Sequence, residues 1–197
     1  LYLHTFEKLL RIRAKDPQNI SLTVVTQYPE IYQEVKEYSG VHAVFCEESR
    51  LGVSYTIKAG IRAVQEAYTP ERKECCFAEE EISSETETEK KKSWDYLMFT
   101  VADQPNLSEK SIEALIRAAV MQDRSAKQSS FSLRCGEQVG NPCMFRADLI
   151  PELMQLEGDK GGRSVLKKHE CCYVEIENEE EFSDIDTEEQ IKKNSTV

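Results

Sequence analysis

Leu1, Leu3, Phe6, Leu9, Leu10 and Ile12 recur at helical spacing, which predicts an amphipathic helix over about the first 14 residues. "DPQN" interrupts that period, and the β-branched run "ISLTVVT" after it predicts a buried strand over residues 20–26. In "YPEIYQEVKEYSG", Pro29 falls in the first turn of a predicted helix and Gly40 past its end. Residues 41–45 read as a second short strand. "LGVSYTIKAGIRAVQEAY" then predicts a glycine-led turn into a helix carrying Val53, Ile57, Ile61 and Val64 on one face. Helix and strand alternate throughout this half, so the pattern predicts an α/β fold with a parallel sheet covered on both faces.

Residues 70–93, "PERKECCFAEEEISSETETEKKKS", break the alternation. They are mostly charged or hydroxylated and have little apolar surface to bury, which predicts a flexible charged insertion within a single domain spanning 1–197. Residues 94–102 then form an almost wholly apolar run, as expected of a central strand. A helix over 108–122 follows, with Ser108 as its N-cap and Glu109 in its first turn. Strands over 128–134 and 141–145 flank "CGEQVG", and residues 147–156 predict a short helix. "EGDKGGRSVLKKH" is a glycine-rich loop entering a helix near Arg163. "CCYVEIE" reads as a strand, "NEEEFSDID" as a loop, and Thr187 as the cap of a last helix in "EEQIKKN".

Composition narrows the function. Of the 197 residues, 40% are hydrophobic and 31% charged, enough for one core and a well-solvated surface. The net charge of -11 argues against general binding to nucleic acid or an anionic membrane, yet leaves room for a nucleotide held by a local pocket and a divalent cation. No apolar run approaches the ~20 residues of a membrane span and nothing reads as a signal peptide, so a cytoplasmic protein is expected. The seven cysteines, Cys46, Cys75, Cys76, Cys135, Cys143, Cys171 and Cys172, contain no C-x-x-C spacing. They are expected to be reduced thiols rather than a zinc site.

Four places carry candidate chemistry. In "MFTVADQP" an apolar strand ends at Asp103, and Pro105 turns the chain away. A carboxylate on a rigid strand tip suits Mg²⁺, which takes one or two carboxylates together with substrate phosphates; capping of the helix near Ser108 is the competing reading. In "SDIDT", Asp184 and Asp186 share one side of an extended segment and either complete a metal pair or cap the last helix. Gly52 and Ser54 stand at a helix entrance, where backbone approaches a ligand closely. Gly158, Gly161 and Gly162, with Lys160 and Arg163, form either an anion-accepting loop or an ordinary turn. The histidines His4, His42 and His169 have no partner spacing, and Cys143 has no adjacent base, so no nucleophilic triad is expected.

Taken together, "LGVSYTIKAGI", "YLMFTVADQPNLS", "GNPCMFRADLIPELMQLEGDKGGRSVL" and "DIDTEEQ" resemble the MobA-like nucleotidyltransferases, in particular their molybdenum cofactor cytidylyltransferase branch. The resemblance runs over about residues 1–193 apart from the insertion, and its most specific part is G-x-P-x-x-F, a helix, then G-D-x-G-x-R. It implies a Rossmann-like three-layer α/β/α sandwich with a mostly parallel sheet. It also implies transfer of a nucleoside monophosphate from an NTP, CTP foremost, to molybdopterin with release of pyrophosphate. Asp103 would hold Mg²⁺ (Mn²⁺ being the alternative), with Asp186 preferred over Asp184 as second ligand because the family's acid or Asn directly precedes the Thr of that motif. Gly52 and Ser54 would lie near base and ribose. Gly140, Pro142, Gly158, Asp159, Gly161 and Arg163 would shape the acceptor side.

The family's opening strand and its loop L-A-A-G-x-S-x-R-M-G do not occur in the sequence, so the expectation is an N-terminally truncated chain whose sheet lacks its first strand and whose activity is low. Another NTP, a sugar- or alcohol-phosphate acceptor, or a non-catalytic chaperone serving a molybdenum hydroxylase client are the alternatives.

Overall fold

The computed structural model describes residues 1–68, 94–123 and 126–185. The predicted insertion at 70–93, Asp186, and the last helix capped by Thr187 lie outside these described residues.

Helix α1 (Tyr2–Lys15) buries Thr5, Phe6 and Ile12, and places Arg13 and Lys15 in its last turn, where they complement the helix dipole. Strands β1 (Leu22–Thr26) and β2 (Val41–Phe45) pair in parallel, Leu22 opposite Val41 through Thr26 opposite Phe45. Helix α2 (Pro29–Lys36), started by its proline, makes the crossover that a parallel pair requires. A 3-10 turn (Glu47–Leu51) leads through Gly52 into α3 (Val53–Tyr68). This half follows the apolar pattern closely.

The second half departs from it. Strand β3 (Tyr96–Phe99) is shorter than the apolar run 94–102. Its partner explains this: Phe99 pairs with Cys143, and the next partner residue back along that strand is Pro142, which has no N–H to donate. After α4 (Glu109–Met121), strands β4 (Ser130–Cys135) and β5 (Gln138–Arg146) form a hairpin closed at Cys135 opposite Gln138, with Gly136 in the left-handed region at φ 58°. "CGEQVG" is therefore a two-residue turn plus strand rather than a loop. Two residues cannot cross a sheet, so β5 runs antiparallel to both β3 and β4. Helices α5 (Ile150–Leu153) and α6 (Arg163–Leu166) follow, and β6 (Cys171–Glu175) joins β4 in parallel.

The strand order is β3-β5-β4-β6, with β1-β2 as a separate pair among the described residues. Helices tie the two groups together: α3 packs on both β1 and α5, and α1 on both β1 and α4. Alternation along β5 sends Cys143 and Phe145 to a cluster with Ile57, Ile61, Leu153 and Val165, and Met144 to one with Ile12, Leu107, Ile112 and Phe131. The result is a parallel β1-β2 pair and a mixed four-stranded sheet between two helical layers, the predicted α/β/α arrangement with antiparallel pairing where the β4-β5 hairpin falls. No helix among the described residues is long and apolar enough to cross a membrane.

Candidate active site at the strand ends

Past Phe99 the chain turns at Asp103, and helix α1 holds that turn from outside. The Thr5 hydroxyl donates to the Gln104 carbonyl at 3.4 Å, and the Lys8 ammonium donates to the carbonyls of Pro105 and, at 2.8 Å, Leu107. Burial, with the Arg11 charge behind it, lowers the Lys8 pKa from its ordinary value. Helix capping falls to Ser108, whose Oγ accepts the Ser111 N–H at 3.1 Å. Glu181, 8% exposed, reinforces the cap by accepting from the Ser108 N–H at 2.9 Å and the Ser111 hydroxyl at 3.0 Å. The capping reading of Asp103 is thus taken over by two other residues.

The carboxy-terminal segment docks on the same turn. Ile185 N–H donates to the Asp103 carbonyl at 2.9 Å. The Gln104 side-chain amide donates to Asp184 Oδ1 at 2.8 Å and to the Phe182 carbonyl at 3.3 Å. The aspartates at 103 and 184, 81 positions apart, are thereby brought to one turn. Beside Asp103, Thr100 Oγ1 and Gln104 Oε1 are buried without a hydrogen-bond partner. Carboxylates with neighbouring uncharged oxygens form a hard donor set, and they fit Mg²⁺ or Mn²⁺. Among the described residues no group of three or more His, Cys, Asp or Glu gathers around a metal position.

A second constellation forms where α3 begins. Gly52 adopts φ 136° and lies so close to the glycine-rich loop that a Cβ on it would sit 2.3 Å from the Gly158 carbonyl oxygen. That same carbonyl accepts the Ser54 N–H at 3.1 Å. Ser54 is fully buried, and its hydroxyl has no hydrogen-bond partner. Gly161 adjoins Val53: a Cβ there would lie 3.5 Å from Val53 Cγ1. The residues expected near the nucleotide (Gly52, Ser54) therefore meet those expected on the acceptor side (Gly158, Asp159, Gly161). Asp159 and Arg163 are exposed, and the Arg163 guanidinium donates to the Val139 carbonyl. Gly140 and Pro142 are placed differently: the Phe182 ring covers Gly140, and Pro142 is fully buried.

Cys143 lies on β5 with Ser132 Oγ of β4 3.8 Å from its sulfur. Burial pushes its thiol up to about 11, against smaller lowering from the Ser132 hydrogen bond and the Arg163 charge. It is a core thiol, not a nucleophile, as the sequence predicts. The unfolded thiol ionises at its ordinary 9.0, so between pH 9 and 11 unfolding releases a proton and stability falls as pH rises. Thermal melts across that window should show this decline, reduced in Cys143→Ala relative to its own value at pH 8. The five cysteines among the described residues are free, and His169 pairs with Glu152 on the surface.

Gln104 and Glu181 carry no sequence signal of their own. Both act on partners about 70 to 80 positions away, beyond the reach of any local pattern.

The comparisons with known proteins agree with this architecture. The MobA-like NTP transferase domain family matches residues 7–172. Among solved structures, Rv0371c of Mycobacterium tuberculosis H37Rv superposes with a TM-score of 0.63 at 14% identity, covering 97% of this chain and 82% of that one. A manganese complex of the same protein gives 0.61 at 15% identity, over 97% and 85%. The 4-diphosphocytidyl-2C-methyl-D-erythritol synthase of Anaerococcus prevotii gives 0.54 at 11% identity, over 95% and 83%. At such identities these structures speak for the fold alone. No curated protein matches the chain.

Proposed function

Because the chain belongs to the MobA-like NTP transferase family, we propose that it transfers a nucleoside monophosphate, CMP from CTP, to the terminal phosphate of molybdopterin and releases pyrophosphate. The observation that carries this reading is the docking of the 182–185 segment on the Asp103 turn, which gathers carboxylates at a strand tip. Asp103 and Asp186 would hold Mg²⁺, with Mn²⁺ as substitute, and such an ion neutralises charge on the triphosphate. Gly52 and Ser54 would receive base and ribose, the buried Ser54 hydroxyl being an unused polar atom at that position. Gly158, Asp159, Gly161 and Arg163 would line the acceptor side, with Gly140 and Pro142 shaping the wall behind them.

The reaction needs no protein nucleophile. An acceptor phosphate oxygen forms its bond to the α-phosphorus as the bond to pyrophosphate breaks in line, and the protein's part is positioning and charge stabilisation. A second acceptor class within the same family is a sugar or alcohol phosphate, such as a polyol phosphate.

The test is pyrophosphate release from CTP, GTP, ATP and UTP with Mg²⁺ or Mn²⁺, each against molybdopterin and a polyol phosphate. Preferential release with CTP and molybdopterin is expected. Release with the polyol phosphate instead would move the acceptor, and a folded protein inert toward every pair would overturn the catalytic reading.

A further inference from the structure

Gln104 sits between Asp103 and Pro105 and is 4% exposed, and beyond its buried oxygen beside Asp103 its amide nitrogen has been assigned no role so far. We propose that Gln104 is a positioning residue: its carboxamide fastens the 182–185 segment to the Asp103 turn and so holds the Asp184 carboxylate beside the metal position at Asp103. This rests on the metal reading given above.

The geometry constrains the side chain from several sides. Its main-chain carbonyl accepts from Thr5 at 3.4 Å, which fixes the residue against α1. Its amide nitrogen reaches two acceptors of the incoming segment, Asp184 Oδ1 at 2.8 Å and the Phe182 carbonyl at 3.3 Å. Rotating the amide by half a turn would set its oxygen against those same two acceptors, so the chemistry admits one orientation. The bond to Asp184 is charge-assisted and stronger than a neutral one. Beside Ile185 N–H on the Asp103 carbonyl, Gln104 thus supplies two hydrogen bonds that hold the acidic segment. A charged donor would cancel the Asp184 charge next to Asp103, whereas a neutral amide orients that carboxylate and leaves its charge in place.

Two variants separate the terms. Gln104→Met keeps length and buried volume but has no donor. Gln104→Glu keeps the shape and turns both attractions into repulsion from Asp184 and the Phe182 carbonyl. The first readout needs no metal: amide exchange at Ile185 should accelerate at least about tenfold in both variants, as expected when a buried bonded segment opens locally. The second is Mn²⁺ affinity by electron paramagnetic resonance, expected to weaken about 10- to 100-fold, the usual effect of removing a group that orients a ligand. The third is rescue: saturating Mn²⁺ should restore most of the turnover, which a merely misfolded variant would not show.

Unchanged Ile185 exchange in both variants overturns the proposal, as does full Mn²⁺ affinity despite accelerated exchange. If the wild-type chain itself takes up no Mn²⁺, the metal reading falls. The fastening by Gln104 is then judged on Ile185 exchange alone.

Discussion

Asp103→Asn should lower nucleotidyl transfer about 10³-fold, the effect of losing roughly 4 kcal/mol of charge stabilisation around the triphosphate. Asparagine keeps the shape and one oxygen but presents a neutral, half-donor group to the cation. The fold should survive, because bonds that the substitution leaves intact hold the turn: the Asp103 carbonyl accepts from Ile185, and Thr5 and Lys8 of α1 donate to the carbonyls of Gln104, Pro105 and Leu107. Melting temperature is accordingly expected to stay within about 3 °C of wild type. Mn²⁺ affinity should fall more than tenfold in parallel, placing the loss at the cation rather than at nucleotide recognition. Asp159→Asn removes an exposed acid of the glycine-rich loop and serves as the comparison, with an intact response to Mn²⁺. Single-turnover pyrophosphate release measures the effect. Activity within tenfold of wild type for Asp103→Asn would remove Asp103 from the site.

The parts legible in the sequence are those governed by local pattern. Helix α1, strands β1 and β2, and the Ser108 cap each answer to a period or a single residue type, and each stands where the pattern puts it. The shape of β3 was not legible, because its end is set by Pro142 of another strand rather than by its own apolar run. Likewise Val139 and Gly140 belong to β5 because a two-residue turn at Gly136 returns the chain at once, and loop-like composition hid that. At the site, residue type pointed to Asp103, Gly52 and Gly158 while leaving helix capping and an ordinary turn open as alternatives, and the family resemblance weighted the choice. The contacts among them were out of reach: Gln104 to Asp184 and Gly52 to Gly158 each join segments far apart in sequence. Family resemblance supplied the expectation of a shared site, and the hydrogen bonds that join these segments involve Gln104 with Asp184 and Ser54 with Gly158.

Gly52→Ala tests that second contact, and its expected effect is the largest on the nucleotide side. At φ 136° and ψ 158° the residue occupies a backbone region open essentially to glycine alone, so alanine incurs about 1–3 kcal/mol of strain before any contact is considered. The added Cβ would lie 2.3 Å from the Gly158 carbonyl oxygen and 2.9 Å from the Asp159 nitrogen, both backbone atoms that cannot swing aside. Relief therefore requires the loop carrying Gly158 to retreat, breaking its bond to the Ser54 N–H. Together these should cost about 2–4 kcal/mol, or roughly 5–15 °C in melting temperature for a domain of this size. The KM for the nucleotide should rise at least about tenfold, since the same movement opens the floor under Ser54. Gly136→Ala isolates the contact from the backbone term. Gly136 also has positive φ, 58°, but a Cβ there meets nothing within 4 Å. It should lose about 1–2 kcal/mol with KM unchanged. If both variants melt together and bind nucleotide alike, the Gly52–Gly158 approach is a packing detail. A selective rise in KM for Gly52→Ala would make it the seam on which the nucleotide rests.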